Sequence, residues 1–195
     1  MARAWQNRHL ADMRQSYIRR MTRECERVGG INLGQGVCDL PTPPEILTAT
    51  SAAIQADRSI YSSFEGLAEL RLQIARKLAT YNGLAVDPAT DLVVTVGSAG
   101  AFACTCQALL NPGDEVIVFE PFYGYHVNTL RGLGLVPIFV PLAPPDWELD
   151  GERLATAITP HTRAIIVNTP ANPSGKIFSR PELEGIRDLC VSHDL

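Results

Sequence analysis

A largely parallel β-sheet covered by helices on both faces is the fold this sequence predicts. From Leu92 onward, short apolar runs (LVVTV, EVIVF, LVPIFV, RAIIV) alternate with helical segments (GAFACTCQALL, GYHVNTLRGLG, GERLATAI, SRPELEGIRDLCVSHD). Strands that alternate with helices imply a parallel sheet, and apolar runs of this kind suit strands buried between two helical layers. The chain has 195 residues, 46% of them hydrophobic, enough for one sizeable core.

Taken in order, residues from about Trp5 to Val28 read as an arginine-rich amphipathic helix stopped by Gly29 and Gly30. INLGQG follows as a short extended piece. TPPEILTATSAAIQAD carries prolines where a helix start tolerates them and apolar residues at helical spacing beyond. YSSFEG reads as a loop. LAELRLQIARKLATYNG predicts a stronger helix, with Leu67, Leu70, Ile74 and Leu78 on one face and Gly83 as its C-cap. The last helix has a capping box, Ser179 with Glu182. SHDL reads as a helix end running into another strand, so the α/β pattern is still open at Leu195. No internal repeat or low-complexity stretch interrupts the chain.

Composition narrows the function classes. Asp and Glu number 21 against 17 for Lys and Arg, a net charge of −4 that draws the chain to neither nucleic acid nor an anionic membrane. The opening MARAWQNRHLADMRQSYIRRM holds no signal-peptide core, and no apolar run approaches the roughly 20 residues that cross a bilayer. A cytoplasmic protein with small soluble partners is expected. Five scattered cysteines (Cys25, Cys38, Cys104, Cys106, Cys190) read as buried free thiols. His9, His126, His161 and His193 share no metal-ligand spacing, so no metal is expected. Lys77 and Lys176 are the only two lysines.

Three stretches invite chemistry. In TVGSAGA the small residues let the N–H groups of Ser98, Ala99 and Gly100 approach an anion at a helix start, although close packing selects small residues there equally well. The turn is neither a G-x-G-x-x-G fingerprint nor a Walker A loop. EPFYGYH follows a strand, at the sheet edge where ligands collect. Its Phe122, Tyr123 and Tyr125 suit either a flat ligand or plain packing. In NTPANPSGK, Asn172 follows a strand with a neutral amide that donates and accepts, pinned by Pro173, and the X-Pro bonds allow a cis peptide. Gly36 in LGQGVCDLP and Tyr61 in YSSFEG carry weaker signals of their own.

Taken together, INLGQGVCDLPTP, YSSFEGLAELR, VTVGSAGAF, NPGDEVIVFEPFYGYH and NTPANPSGKIFSRPELEGI, in this order from about Ile31 to Leu195, resemble the fold type I aminotransferases. These are pyridoxal-phosphate enzymes of the class I/II group, and the likeness is to the branch with kynurenine and aromatic aminotransferases. The resemblance implies an arm at residues 1–42 belonging to a small domain, and the first part of the cofactor-binding large domain over 43–195. It implies that Ser98, Ala99 and Gly100 cradle the cofactor phosphate and that Tyr123 stacks on its pyridine ring. Asn172 would bond the ring's 3-oxygen and help hold the substrate carboxylate, with Gly36 beside that carboxylate. Tyr61 would reach the phosphate of a neighbouring subunit, so a homodimer is implied. The aspartate that pairs with the pyridine nitrogen, the Schiff-base lysine and the carboxylate-binding arginine would all fall after Leu195, leaving no catalytic residue within 1–195. Lys77, on an amphipathic helix, and Lys176, in a loop, do not match the lysine's place.

The function so implied is amino transfer between an amino acid and a 2-oxo acid on pyridoxal 5′-phosphate, with this 195-residue chain inactive alone. Alternatives are another reaction on that cofactor (C–S β-elimination, decarboxylation, or closure to a cyclopropane amino acid), a non-catalytic interaction module, or an unrelated nucleotide-binding α/β domain.

Overall fold

A computed structural model describes residues 8–10, 17–36, 38–58 and 60–195. Contacts divide them into two units, one over Tyr17–Ala101, the other over Phe102–Leu195 together with the 3₁₀ turn Arg8–Leu10.

In the Tyr17–Ala101 unit, helix α1 (Tyr17–Arg27) forms the later part of the helix expected from Trp5 to Val28, whereas Arg8–Leu10, within that expected span, is a separate 3₁₀ turn. Residues 1–7 and 11–16 lie outside the described residues. Its stop follows from glycine chemistry: Gly29 takes a left-handed φ of 65°, and the Gly30 N–H then donates to the Cys25 carbonyl at 2.9 Å. Helix α2 (Pro44–Gln55) starts on its prolines, and α3 (Ala68–Lys77) runs into one π turn (Leu78–Asn82) that Gly83 ends, as predicted, at φ 68°. INLGQG and YSSFEG form no regular element. Ala75 is the one buried apolar side chain of this unit among the described residues.

LVVTV departs from expectation: no strand ladder forms on it among the described residues, and it ends in a bend at Val96. An apolar run sets the side-chain pattern, whereas a strand also needs a neighbouring backbone to fill its N–H and C=O groups. Here the Val94 N–H instead donates to the Glu65 carbonyl at 2.9 Å. That bond draws the chain so close that a Cβ on Gly66 would lie 2.6 Å from the Val94 Cβ, and Gly66 also holds φ 98°. Gly66→Ala should therefore destabilise the chain by about 2 kcal/mol or more, read from urea midpoints, because clash and backbone strain act together. An unchanged midpoint would contradict this close approach.

Helix α4 (Gly97–Leu109) leads into the alternating part: β1 (Glu115–Glu120), α5 (Gly124–Gly132), β2 (Val136–Pro141), α6 (Gly151–Ala157), β3 (Thr162–Ile166) and α7 (Arg180–His193). The strands form one parallel sheet in the order β2-β1-β3. Ile117 pairs with Ile138 on one side and Ile165 on the other, and the β1–β3 ladder shifts register once, after Glu115. Central β1 is buried on both faces, which is why its sequence does not alternate. Ile117 and Phe119 point into a cluster with Val140, Leu154, Phe178 and Ile186, so α6 and α7 cover that face. Val116 and Val118 point the other way, onto Cys106, Val127, Leu130 and Leu135, covered by α4 and α5. The predicted capping box is formed, with the Ser179 hydroxyl accepting the Glu182 N–H and the Glu182 carboxylate accepting the Ser179 N–H at 2.7 Å. Helix α7 ends in a left-handed Asp194, and no strand follows it among the described residues.

The cysteines need a correction. All five are free, but only Cys106 is buried; Cys25 and Cys190 are half-buried, and Cys38 and Cys104 are exposed. Two positions apart on α4, Cys104 and Cys106 face opposite sides of the helix, so only one can reach the core. Burial pushes the Cys106 and Cys190 thiols above their ordinary range. Among the described residues no helix is long and apolar enough to cross a membrane.

Candidate functional site

Parallel pairing puts the carboxyl ends of β1 and β3 at the same sheet edge, where open α/β sheets bind ligands. A small cavity lies there, lined after β1 by Pro121, Tyr123 and His126 and after β3 by Asn168, Ala171 and Asn172, with core residues such as Phe119 and Phe178 at its base. Tyr123 and Asn172, singled out from two distant stretches of sequence, are thus brought together.

Each is held by its local chain. Glu120–Pro121 is cis, and Tyr123 caps the start of α5 with an extended backbone. Neighbouring Phe122 turns inward and stacks on Phe139 at 5.1 Å, joining the core. Tyr123 is 41% exposed, with Tyr125 stacked on it at 6.2 Å and half exposed. Of the three aromatics, packing claims Phe122 and leaves two tyrosines open. The loop after β3 has cis bonds at Thr169–Pro170 and Asn172–Pro173. It closes on itself: the Ala171 N–H donates to the Lys176 carbonyl at 2.9 Å, and the Gly175 N–H donates to the Ala171 carbonyl at 2.7 Å.

Lys176 anchors this loop. Its ammonium lies 2.7 Å from the Glu182 carboxylate at the start of α7 and 5.5 Å above the centre of the Phe178 ring. Glu182 also accepts from the Leu149 N–H at 3.3 Å, tying the loop, α7 and the segment before α6 together. The sequence offered a signal for this, since Glu182 had been placed in the capping box, but a pairing six residues apart depends on how the loop folds.

Sequence reasoning passed over two cavity residues. Asn168, half-buried, stands four positions before Asn172 on the same loop; a second asparagine close before a proline, two residues ahead of Pro170 where Asn172 is next to Pro173, was the available signal. His126 lies three positions after Tyr123, one helical turn on, a spacing that puts both on one face. Burial holds its imidazole below the ordinary histidine range, so it is neutral at physiological pH. The side-chain amides of Asn168 and Asn172 make no hydrogen bond to another described residue.

No lining residue carries a charge at neutral pH. The enclosed space is about 20 Å³, room for about one water, so a larger ligand would have to extend out of it, past the partly exposed Tyr123 at its lining. An exposed ring face flanked by two free amides suits a flat ring with polar substituents, and pyridoxal phosphate fits that donor set.

The other predicted residues belong to the Tyr17–Ala101 unit. Gly97 opens α4 with φ 66°, a conformation that favours glycine, and the Thr95 hydroxyl donates to its carbonyl at 3.0 Å. The Ser98 and Ala99 N–H groups fall in the first turn of α4, where no helical carbonyl precedes them, whereas the Gly100 N–H donates to the Val96 carbonyl at 3.3 Å. Tyr61 is fully exposed. Gly36 is exposed, with nothing within 4 Å of where a Cβ would stand.

Residues 28–195 match the family model described as aminotransferase class I and II. A Mycobacterium tuberculosis protein described as a probable N-succinyldiaminopimelate aminotransferase is 39% identical over 171 residues, covering 87% of this chain and 43% of that relative. Human kynurenine–oxoglutarate transaminase 1 is 37% identical, covering 85% of this chain and 42% of that relative. Among solved structures, N-succinyldiaminopimelate aminotransferase from M. tuberculosis superposes with a TM-score of 0.92 at 35% identity, over 97% of this chain and 50% of that one. The chain thus spans about half the length of the proteins it matches.

Proposed function

Because the chain belongs to the class I and II aminotransferases, a family of pyridoxal-phosphate enzymes, we propose that it forms the cofactor-holding part of an enzyme that moves an amino group between an amino acid and a 2-oxo acid. The observation that carries this reading is the meeting of the open Tyr123 ring with the free Asn172 amide at the carboxyl ends of β1 and β3. When bound, pyridoxal phosphate supplies an electron sink for the carbon that loses its proton.

The chain's own residues supply binding and orientation. Tyr123 offers the apolar face on which the pyridine ring lies, and the Asn172 amide donates to the ring oxygen and to the substrate carboxylate. Ser98, Ala99 and Gly100 line the phosphate site at the positive end of α4, with the Ser98 and Ala99 N–H groups donating to it while the Gly100 N–H stays with the Val96 carbonyl. Gly36, lacking a side chain, leaves the substrate carboxylate room against its backbone, and exposed Tyr61 reaches the phosphate of a second subunit in a homodimer. On this reading the arm over 1–42 belongs to a small domain and residues from 43 onward begin the large one, a division by role that is separate from the two contact units. The reactive lysine, the aspartate facing the pyridine nitrogen and the arginine for the substrate carboxylate come from outside residues 1–195. A cytoplasmic place suits small, charged, soluble substrates.

The test is a titration of the chain with pyridoxal 5′-phosphate, followed by the quenching of tyrosine fluorescence. Asn172→Ala should weaken binding about tenfold, some 1.4 kcal/mol, as expected for one hydrogen bond to an ionised group. A wild-type chain that ignores the cofactor, or a variant that binds it equally well, would sink the assignment. For the reaction, the protein isolated from its source should pass ¹⁵N from an amino acid to a 2-oxo acid.

A further inference from the structure

An exposed tyrosine is a poor platform unless something fixes its ring. Tyr123 lies outside the regular part of α5 and is open to solvent on one side, and Tyr125, stacked on it, is itself half exposed and cannot hold it. The other side is different. One turn on, the His126 backbone N–H donates to the Tyr123 carbonyl at 3.0 Å, and the imidazole meets the Tyr123 ring at 84°, centre to centre 5.4 Å. That is the edge-to-face arrangement aromatic pairs favour. The imidazole is backed in turn by Phe102, 4.8 Å away, and Phe102 packs against the buried cluster of Cys106, Val127 and Leu130. A continuous line of contact therefore runs from the core through Phe102 and His126 to the Tyr123 ring. The His126 nitrogens make no hydrogen bond to another described residue, and burial keeps the ring uncharged, so it contributes here through packing geometry.

We propose that His126 is a positioning residue that sets the angle of the Tyr123 ring and so the plane on which a flat ligand is held. For its consequence on the cofactor the inference rests on the function proposed above; the ordering of the ring can be measured without cofactor. The experiment places 3-fluorotyrosine at position 123 of the 195-residue chain and reads its ¹⁹F resonance, then titrates pyridoxal 5′-phosphate, in wild type and in His126→Ala, His126→Leu and His126→Phe. Wild type should give a resonance displaced from that of free fluorotyrosine. His126→Ala should move it to the free position and weaken the cofactor at least fivefold. His126→Phe, which keeps an aromatic ring between Phe102 and Tyr123, should restore both, whereas His126→Leu, of similar bulk without a ring, should not. Rescue by leucine, an unshifted signal in wild type, or an unchanged signal in His126→Ala would each overturn the proposal. A displaced wild-type signal that behaves as expected in the variants, with no cofactor binding in any chain, would uphold the positioning role and remove the functional reading instead.

Discussion

Treated with pyridoxal 5′-phosphate and then borohydride, the 195-residue chain is expected to show no saturable incorporation at either lysine, and to transfer no amino group. Amino transfer on this cofactor needs a lysine amine that is free to act as nucleophile and then to carry a proton. Neither lysine of the chain is free in that sense. The Lys176 side chain is only 9% exposed, and its ammonium is committed at 2.7 Å to Glu182, a half-buried carboxylate that loss of this charge would leave without its cationic partner. Lys77 lies at the end of α3, just before the π turn, with its ammonium donating to Asn82 Oδ1 at 2.8 Å and 4.9 Å from the Tyr81 ring centre. It can react only as any surface amine does, in proportion to reagent. Peptide mass mapping after reduction reads both sites separately. Saturable label on Lys176, or turnover by the chain alone, would mean that the loop opens and that its lysine is catalytic.

The second large effect concerns the same ion pair seen from its acid side. Burial by itself would raise the Glu182 carboxyl, but the Lys176 ammonium, the Ser179 N–H and hydroxyl, and the Leu149 N–H outweigh it and draw the pKa from 4.5 to about 2. A carboxyl held below its unfolded value stabilises the fold fully above about pH 4.5, and that stabilisation fades as the pH falls from there through about 2. Glu182→Gln removes the charge while leaving Lys176 nearly buried. Loss of one member of a fully buried pair costs roughly 3–5 kcal/mol; Glu182 keeps 18% exposure, so about 2 kcal/mol is expected at pH 7. Near pH 2 the wild-type carboxyl is itself becoming neutral, and the two proteins should converge. Urea unfolding across this range checks the effect, and a difference that stays constant from pH 7 to pH 2.5 would show that the ion pair contributes nothing. Because the pair ties the loop to α7, the variant should also, on the proposed function, loosen pyridoxal phosphate through Asn172.

The three paired strands, the helices between them, the capping box at Ser179 and the stop at Gly83 were all legible, because each depends on residues adjacent in the chain: apolar periodicity, a hydroxyl before a helix, a glycine where φ must be positive. The family was legible for a related reason, since its motifs are contiguous stretches in a fixed order. LVVTV shows the limit. Its composition suits a strand, but strand pairing belongs to two backbones, and its Val94 N–H went to Glu65 instead. The cysteines show it again: composition said that thiols are usually buried, and only helix rotation separated Cys106 from Cys104. At the site, chain order alone could nominate Tyr123 and Asn172, but Asn168 and His126 became visible only when parallel pairing of β1 with β3 carried two loops to one sheet edge. The sequence by itself determined the family's motifs and most of the helices and strands, LVVTV excepted. Tertiary structure alone decided that Lys176 is tied to Glu182, that Phe122 packs into the core while Tyr123 stays 41% exposed, and that the His126 ring meets the Tyr123 ring edge-on. Local propensity acts over a few residues, whereas burial and ion pairing are set by segments tens of residues apart that the sheet brings together.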